Sequence, residues 1–360
     1  MAHTLQDLRR HAVARTLFPP TTLVAAIERL GFVQADPIRA PARAQDLILR
    51  HRVRGYHAGD LERRYARLPI EEDFFVNYGF LPRAVQVLMH PRAARTPLTA
   101  ADRRRANAIV AYVRAFGPAH PRWIDEHFAH GKVQNYWGGS SNLTTHLLDT
   151  LHYRGHLRVA RREGGIRVYA AQSYAGKPGA KPALDALIDV IVQTYAPLPV
   201  RSLNALVSRL RFVTPQWRAA LPAALKRAKA RLHRATVAGV DWYWPAGEDL
   251  DAFGDANAGS IRLLTPFDPI VWDRLRFELL WGWAYRFEAY TPPAKRKLGY
   301  YALPMLRGDQ VIGWGNLSVT PANRLRARFG YVAGRAPQDA RFKPQLADEM
   351  DRVRRFLSLA

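Results

Sequence analysis

Twice in succession the chain runs through the same order of elements. Three stretches of helical period are followed by two short alternating segments around a turn. Residues 101–116, 121–128 and 141–154 form the first set of helices, with Pro121 at a helix start and Gly155 just past a helix end. Segments 157–160 and 166–169 then alternate around Arg161-Arg162-Glu163-Gly164-Gly165, the pattern of a hairpin. The second copy has helices at 183–195, 200–210 and 215–231 and a hairpin at 232–237 and 240–244. This is the order of a winged helix, whose third helix can enter a major groove while the hairpin touches backbone. Two successive copies make a repeat of architecture. Residues 4–95 read as mostly helical, with the aromatics Phe74, Phe75, Tyr78 and Phe80 as core, and could be a third, degenerate copy. From residue 260 the texture turns to strand, at 261–264, 285–290, 299–306 and 310–319, before a last helix at 344–359. The predicted fold class is α+β: tandem winged-helix (helix-turn-helix) domains followed by a small C-terminal antiparallel β-barrel. The expected divisions are 1–97, 98–176, 182–250 and 258–360, with the Gly-, Lys- and Pro-rich stretch 176–182 as a linker.

Composition narrows the partner. At 360 residues the chain is too long for one ordinary core. It carries 54 Lys and Arg against 30 Asp and Glu, a formal charge of +24 spread along its length. A folded protein with that excess meets a polyanion, and nucleic acid is the default expectation. No apolar run is long enough to span a bilayer, the N-terminal residues lack a signal-peptide core, and there is no cysteine for disulfides, thiolate metal sites or nucleophilic catalysis. His146, His152 and His156 read as surface or core histidines, since no helical pair faces an acidic third ligand. The expectation is a cytoplasmic, nucleoid-associated monomer with no cofactor, no metal and no membrane partner.

The stretch Gly31-Phe32-Val33-Gln34-Ala35-Asp36-Pro37 follows a short amphipathic helix at 21–30, which Thr21 or Thr22 can cap and Gly31 can stop. Pro37 biases Asp36 toward extended backbone, where alternate side chains share a face, so Gln34 and Asp36 are expected side by side. Arg39, Arg43, Arg50, His51, Arg52 and Arg54 follow, and a carboxylate amid such charge is expected to stay ionised. Local chemistry leaves a second reading open. Asp-Pro is also a common helix start, with Asp36 as N-cap and Pro37 at the first helical position; a helix is expected from about Arg39 to His51.

Three blocks of sequence resemble one family. The block from Gly31 to Leu47, the block Leu264-Thr265-Pro266-Phe267-Asp268-Pro269 continuing to Arg274, and the block from Tyr285 to Tyr301 are similar to signatures of the crosslink-repair DNA glycosylases, the YcaQ and AlkZ group. The family motif of Gln, an apolar residue, then Gln or Asp is matched by Gln34-Ala35-Asp36, which resembles the Asp-containing YcaQ branch more closely. Gln45 stands where many relatives carry His, and the stretch Trp314 to Ser318 also departs from the family pattern. The resemblance implies tandem winged helices with a barrel. It also implies a monofunctional glycosylase that hydrolyses the N-glycosidic bond of N7-alkylated guanine in double-stranded DNA, with interstrand crosslinks as a further substrate. Gln34 and Asp36 would be its catalytic pair. Arg39, Arg43, His51, Arg161, Arg162, Lys295, Arg296 and Lys297 are the expected DNA contacts. Asp268, in its Pro-flanked turn, reads as a turn-former. A winged-helix regulator without chemistry would explain the charge and the repeat but gives Gln34 and Asp36 no task.

Overall fold

The computed structural model describes residues 3–94, 97–134, 140–250 and 259–359. They gather into two compact units, one made of Met1–Leu61, Ile188–Val207 and Leu225–Ala360, the other of Glu62–Leu187 and Ser208–Ala224. The fold is mixed α+β with several antiparallel sheets.

In the first unit, helix Leu5–Thr16 opens on a capping box between Thr4 and Asp7. Helix Leu23–Leu30 is capped by Thr22, which accepts a bond from the Ala25 N–H, and is ended by Gly31 in left-handed conformation. The two-residue strand Val33–Gln34 follows. No helix begins at Pro37; the next one is Ala44–Leu49, with Arg43 at its N-cap position. The strand Leu198–Pro199 and the hairpin His233–Val237 with Val240–Trp244 form one antiparallel sheet. Another antiparallel sheet runs in the order Ile261–Leu263, Leu303–Arg307, Gln310–Val319, Leu325–Tyr331. The sheet is open, and among the described residues its outer strands do not pair to close a barrel. Residues 285–290, expected as a strand, take an irregular course. The physical reason is local: Tyr285 is held through its hydroxyl to the Ala302 carbonyl, and Glu288 gathers backbone N–H groups that a ladder would otherwise use. The core here joins Val13 and Leu17 to Leu264, Ile270, Val271, Phe277 and Leu306. Beside it, fully buried Arg52 forks onto fully buried Asp268 at 2.8 and 3.0 Å. Asp268 also accepts from the Ile270 N–H, closing its own turn.

In the second unit a hairpin absent from the sequence reading pairs Ile70–Phe74 with Tyr78–Pro82. Its first strand carries Glu71, Glu72 and Asp73, all buried. Each is neutralised: Glu71 by Arg83 and Arg158, Glu72 by Arg162, Asp73 by Arg92. Helices Ala100–Phe116, Pro121–Phe128 and Leu143–Arg154 come next, then the hairpin Leu157–Glu163 with Ile166–Ala171. Ala119, between the first two of these helices, exchanges backbone hydrogen bonds with Tyr169. His152 is buried and meets the Glu72 carbonyl, while His146 and His156 are exposed. Helices Ala180–Tyr195, Val200–Val213 and Leu221–Arg231 each carry residues of both units. Among the described residues no helix is long and apolar enough to cross a membrane.

Candidate active site around Gln34 and Asp36

The connector is fixed at its start. Gly31 has φ of +76°, and a Cβ there would come within 2.8 Å of Val190 Cγ1, so glycine is required twice over. The Thr194 hydroxyl donates to the Leu30 carbonyl at 2.7 Å, tying the preceding helix end down. Val33 and Gln34 are buried, and the buried Gln34 Oε1 has no hydrogen-bond donor among the described residues. A buried acceptor without a donor is uncommon and marks a site of strain or of something to be bound.

Asp36 lies in irregular backbone, half-buried. It caps no helix. Its Oδ1 accepts from the Ile38 N–H at 2.9 Å, an Asx-type turn of its own making. Its own N–H reaches the Oε1 of buried Gln45 at 3.4 Å, a long bond. Burial pushes the Asp36 carboxyl above the usual carboxylate range, and the Ile38 N–H works against that shift. The expected dominance of the neighbouring arginines is therefore not what sets its acidity; loss of water is.

A second group belongs to this neighbourhood. Tyr301 is buried, its hydroxyl sharing a hydrogen bond with Thr265 Oγ1 at 3.0 Å. Burial raises its pKa, Thr265 opposes the rise, and the charge of Asp36 adds to it, which places the two side chains within electrostatic reach. Phe267 and Phe287 lie against Tyr301 at ring-centroid distances of 6.4 and 5.2 Å, and Phe287 meets Tyr290, which is 81% exposed. Tyr301, Thr265 and Gln45 had no assigned role in the sequence reading. Their presence within the three family-like blocks was the available signal.

The cation-rich loop preceding Tyr301 is ordered from within. Glu288 accepts the N–H groups of Lys297, Leu298 and Gly299 at 2.7–3.2 Å. Arg296 donates to the Thr291 carbonyl and lies 5.1 Å over the Tyr300 ring, while Lys295 and Lys297 are exposed. Trp314 Nε1 and Asn316 Nδ2 both donate to the Leu298 carbonyl, at 3.0 and 2.7 Å. The stretch that departs from the family pattern thus anchors the loop.

The remaining expected DNA contacts divide. Arg39 is exposed and Arg43 partly buried, both on the connector that follows Asp36. His51 is buried; desolvation first, then Arg50 and Arg262, hold its pKa well below the ordinary value, and its neutral ring meets the Leu263 carbonyl at 3.0 Å through Nε2, which must carry the hydrogen. It is committed to the fold. Arg162 forks onto Glu72 at 2.6 and 2.7 Å, and Arg161 pairs on the surface with Glu163 at 2.6 Å.

Residues 27–356 match the family described as AlkZ-like DNA glycosylase. The chain belongs to this family. Among solved structures, Streptomyces sahachiroi DNA glycosylase AlkZ is similar over 100% of this chain and 98% of its own, with a TM-score of 0.65 at 15% sequence identity. At that identity the likeness speaks for the fold. The chain is accordingly a DNA glycosylase, an enzyme of DNA repair, and the reading as a regulator without chemistry falls away.

Proposed function

We propose that this glycosylase hydrolyses the N-glycosidic bond of N7-alkylated guanine in duplex DNA, with Asp36 and Gln34 as its catalytic pair. The observation that carries this reading is the half-buried, upward-shifted carboxylate of Asp36 on a non-helical connector, two residues from an amide whose acceptor has no donor among the described residues. Alkylation at N7 makes the base a cation, so it leaves as a neutral purine and needs no strong general acid. Water oxygen bonds to C1′ as the C1′–N9 electron pair passes to the purine ring. Asp36 stabilises the oxocarbenium-like sugar and takes the proton from that water; Gln34 orients it. Such help is worth about 10²–10⁴-fold, enough for a labile adduct and too little for an undamaged nucleoside. The reading is of a monofunctional hydrolase of the Asp-containing branch, monomeric and nucleoid-associated. Crosslinked guanines would be released as successive N7 adducts.

Arg39, Arg43, Lys295, Arg296 and Lys297 are the proposed phosphate contacts. Tandem winged helices are supported by the helix order and by the Ala119–Tyr169 bridge, repeated by Leu198–Pro199 against Val240–Trp244. The test is base release from a duplex with one N7-methylguanine, scored as alkali-labile breaks, for wild type and Asp36→Asn. Release by the first and little by the second supports the assignment; equal release removes Asp36 from the chemistry. A crosslinked duplex is the next substrate.

A further inference from the structure

The first unit contains a cavity of about 420 Å³ whose charged lining, among the described residues, is Arg50, Arg262, Arg352 and Arg355; His51 and His57 also line it. The arginines come from three places far apart in sequence: the end of helix Ala44–Leu49, strand Ile261–Leu263 and helix Phe342–Phe356. Tyr56 and Phe356, stacked at 6.4 Å between ring centroids, complete the wall, and the Arg50 guanidinium lies 5.8 Å over Phe356. Glu349, fully buried, gives one oxygen to Arg50 at 2.5 Å and the other to Arg352 at 3.0 Å, and also accepts the Leu263 N–H. One carboxylate is divided between two guanidinium groups. Arg50, whose side chain is 3% exposed, keeps a buried Nε without a hydrogen-bond acceptor among the described residues. Burial pushes the Arg262 pKa down to about 10; Glu349 resists the shift, and Arg52, Arg352 and Arg50 add to it.

We propose that this cavity is a binding site for a phosphomonoester group, supplied either as a small free anion or as the 5′-terminal phosphate of a DNA strand. Guanidinium groups pair with phosphate through parallel N–H···O bonds, and several converging on one dianion relieve the crowding of like charges. The volume lies in the range of small-ligand pockets, and a concave site suits a terminal phosphate better than one inside a continuous strand. This inference does not rest on the roles given to Gln34 and Asp36.

Calorimetry on the full chain with inorganic phosphate, at ionic strength matched with chloride, reads the free anion. Anisotropy competition between 5′-phosphorylated and 5′-hydroxyl duplexes reads the strand end. Arg355→Gln, at an exposed helix position, is expected to weaken phosphate-specific binding at least about 10-fold, as expected for losing one charge-assisted hydrogen bond. Arg262→Lys should weaken it too, while Arg104→Gln in the other unit leaves it unchanged. Binding of inorganic phosphate assigns the site to a free anion. A preference for the 5′-phosphorylated duplex that Arg355→Gln abolishes assigns it to DNA ends. Absence of both effects, or equal binding by wild type and Arg355→Gln, overturns the site.

Discussion

At Asp36 burial and the proposed role as base pull on one proton. Its folded-state pKa is raised, so the protonated form is favoured by folding, and the stability this contributes is full below the ordinary Asp value and lost as pH rises through the raised one. At neutral pH the ionised carboxylate therefore works against the fold. Asp36→Asn keeps an oxygen for the Ile38 N–H, so it should unfold no earlier than wild type at pH 7. Any gain should vanish in acid, while base release falls about 10²–10⁴-fold. Melting curves across pH beside the release assay check both halves. In wild type the acid limb of the rate profile should lie above the usual aspartate range. Gln34→Leu should likewise leave stability unchanged or raised, because an unsatisfied buried acceptor costs about 1–3 kcal/mol, yet slow release; a large drop in melting temperature would make Gln34 structural. The sequence named this pair but misjudged what surrounds it. The cations near it in sequence do not set the pKa of Asp36, which is still read as ionised at neutral pH; desolvation does, and only the packing reveals that.

Elements were legible where local chemistry decides them. Gly31 ends its helix as expected, and Gly31→Ala should cost about 1–2 kcal/mol from left-handed backbone alone, more while Val190 stands in the way. Urea unfolding of Gly31→Ala, with and without Val190→Ala, separates the two parts. Elements set by long-range pairing were not legible. Glu71-Glu72-Asp73 looks like an exposed acidic run, yet it is buried strand because four arginines from elsewhere in its unit meet it. The last sheet strand, Leu325–Tyr331, does alternate, with Arg326 and Arg328 between Leu325, Ala327 and Phe329, but it lay beyond the pattern read as strand. The irregular course of 285–290 goes with side-chain hydrogen bonds of Tyr285 and Glu288 that no periodicity records.

For the molecule as a whole, the +24 charge makes DNA affinity a salt-dependent quantity. If 6–10 phosphates are held, binding should fall about 10³–10⁵-fold between 50 and 200 mM salt. Titrations at several salt concentrations give the slope, and a flat one would leave the basic excess without a polyanionic partner. The first unit is also built from separated pieces of chain: Arg52 reaches Asp268 across 216 positions and Arg50 reaches Glu349 across 299. Synthesis runs from the N-terminus, so residues 1–61 leave the ribosome long before their partners exist, whereas all of the second unit has been made by Ala224. Nascent chains stalled with Ala224 outside the ribosome and Arg274 still inside should already protect the second unit from protease while the Gln34–Asp36 connector is cut. Early protection of that connector would contradict this order. The segment proposed as catalytic is thus among the first parts made and the last to be finished, and an incomplete copy of this enzyme should carry no base-releasing activity to the chromosome.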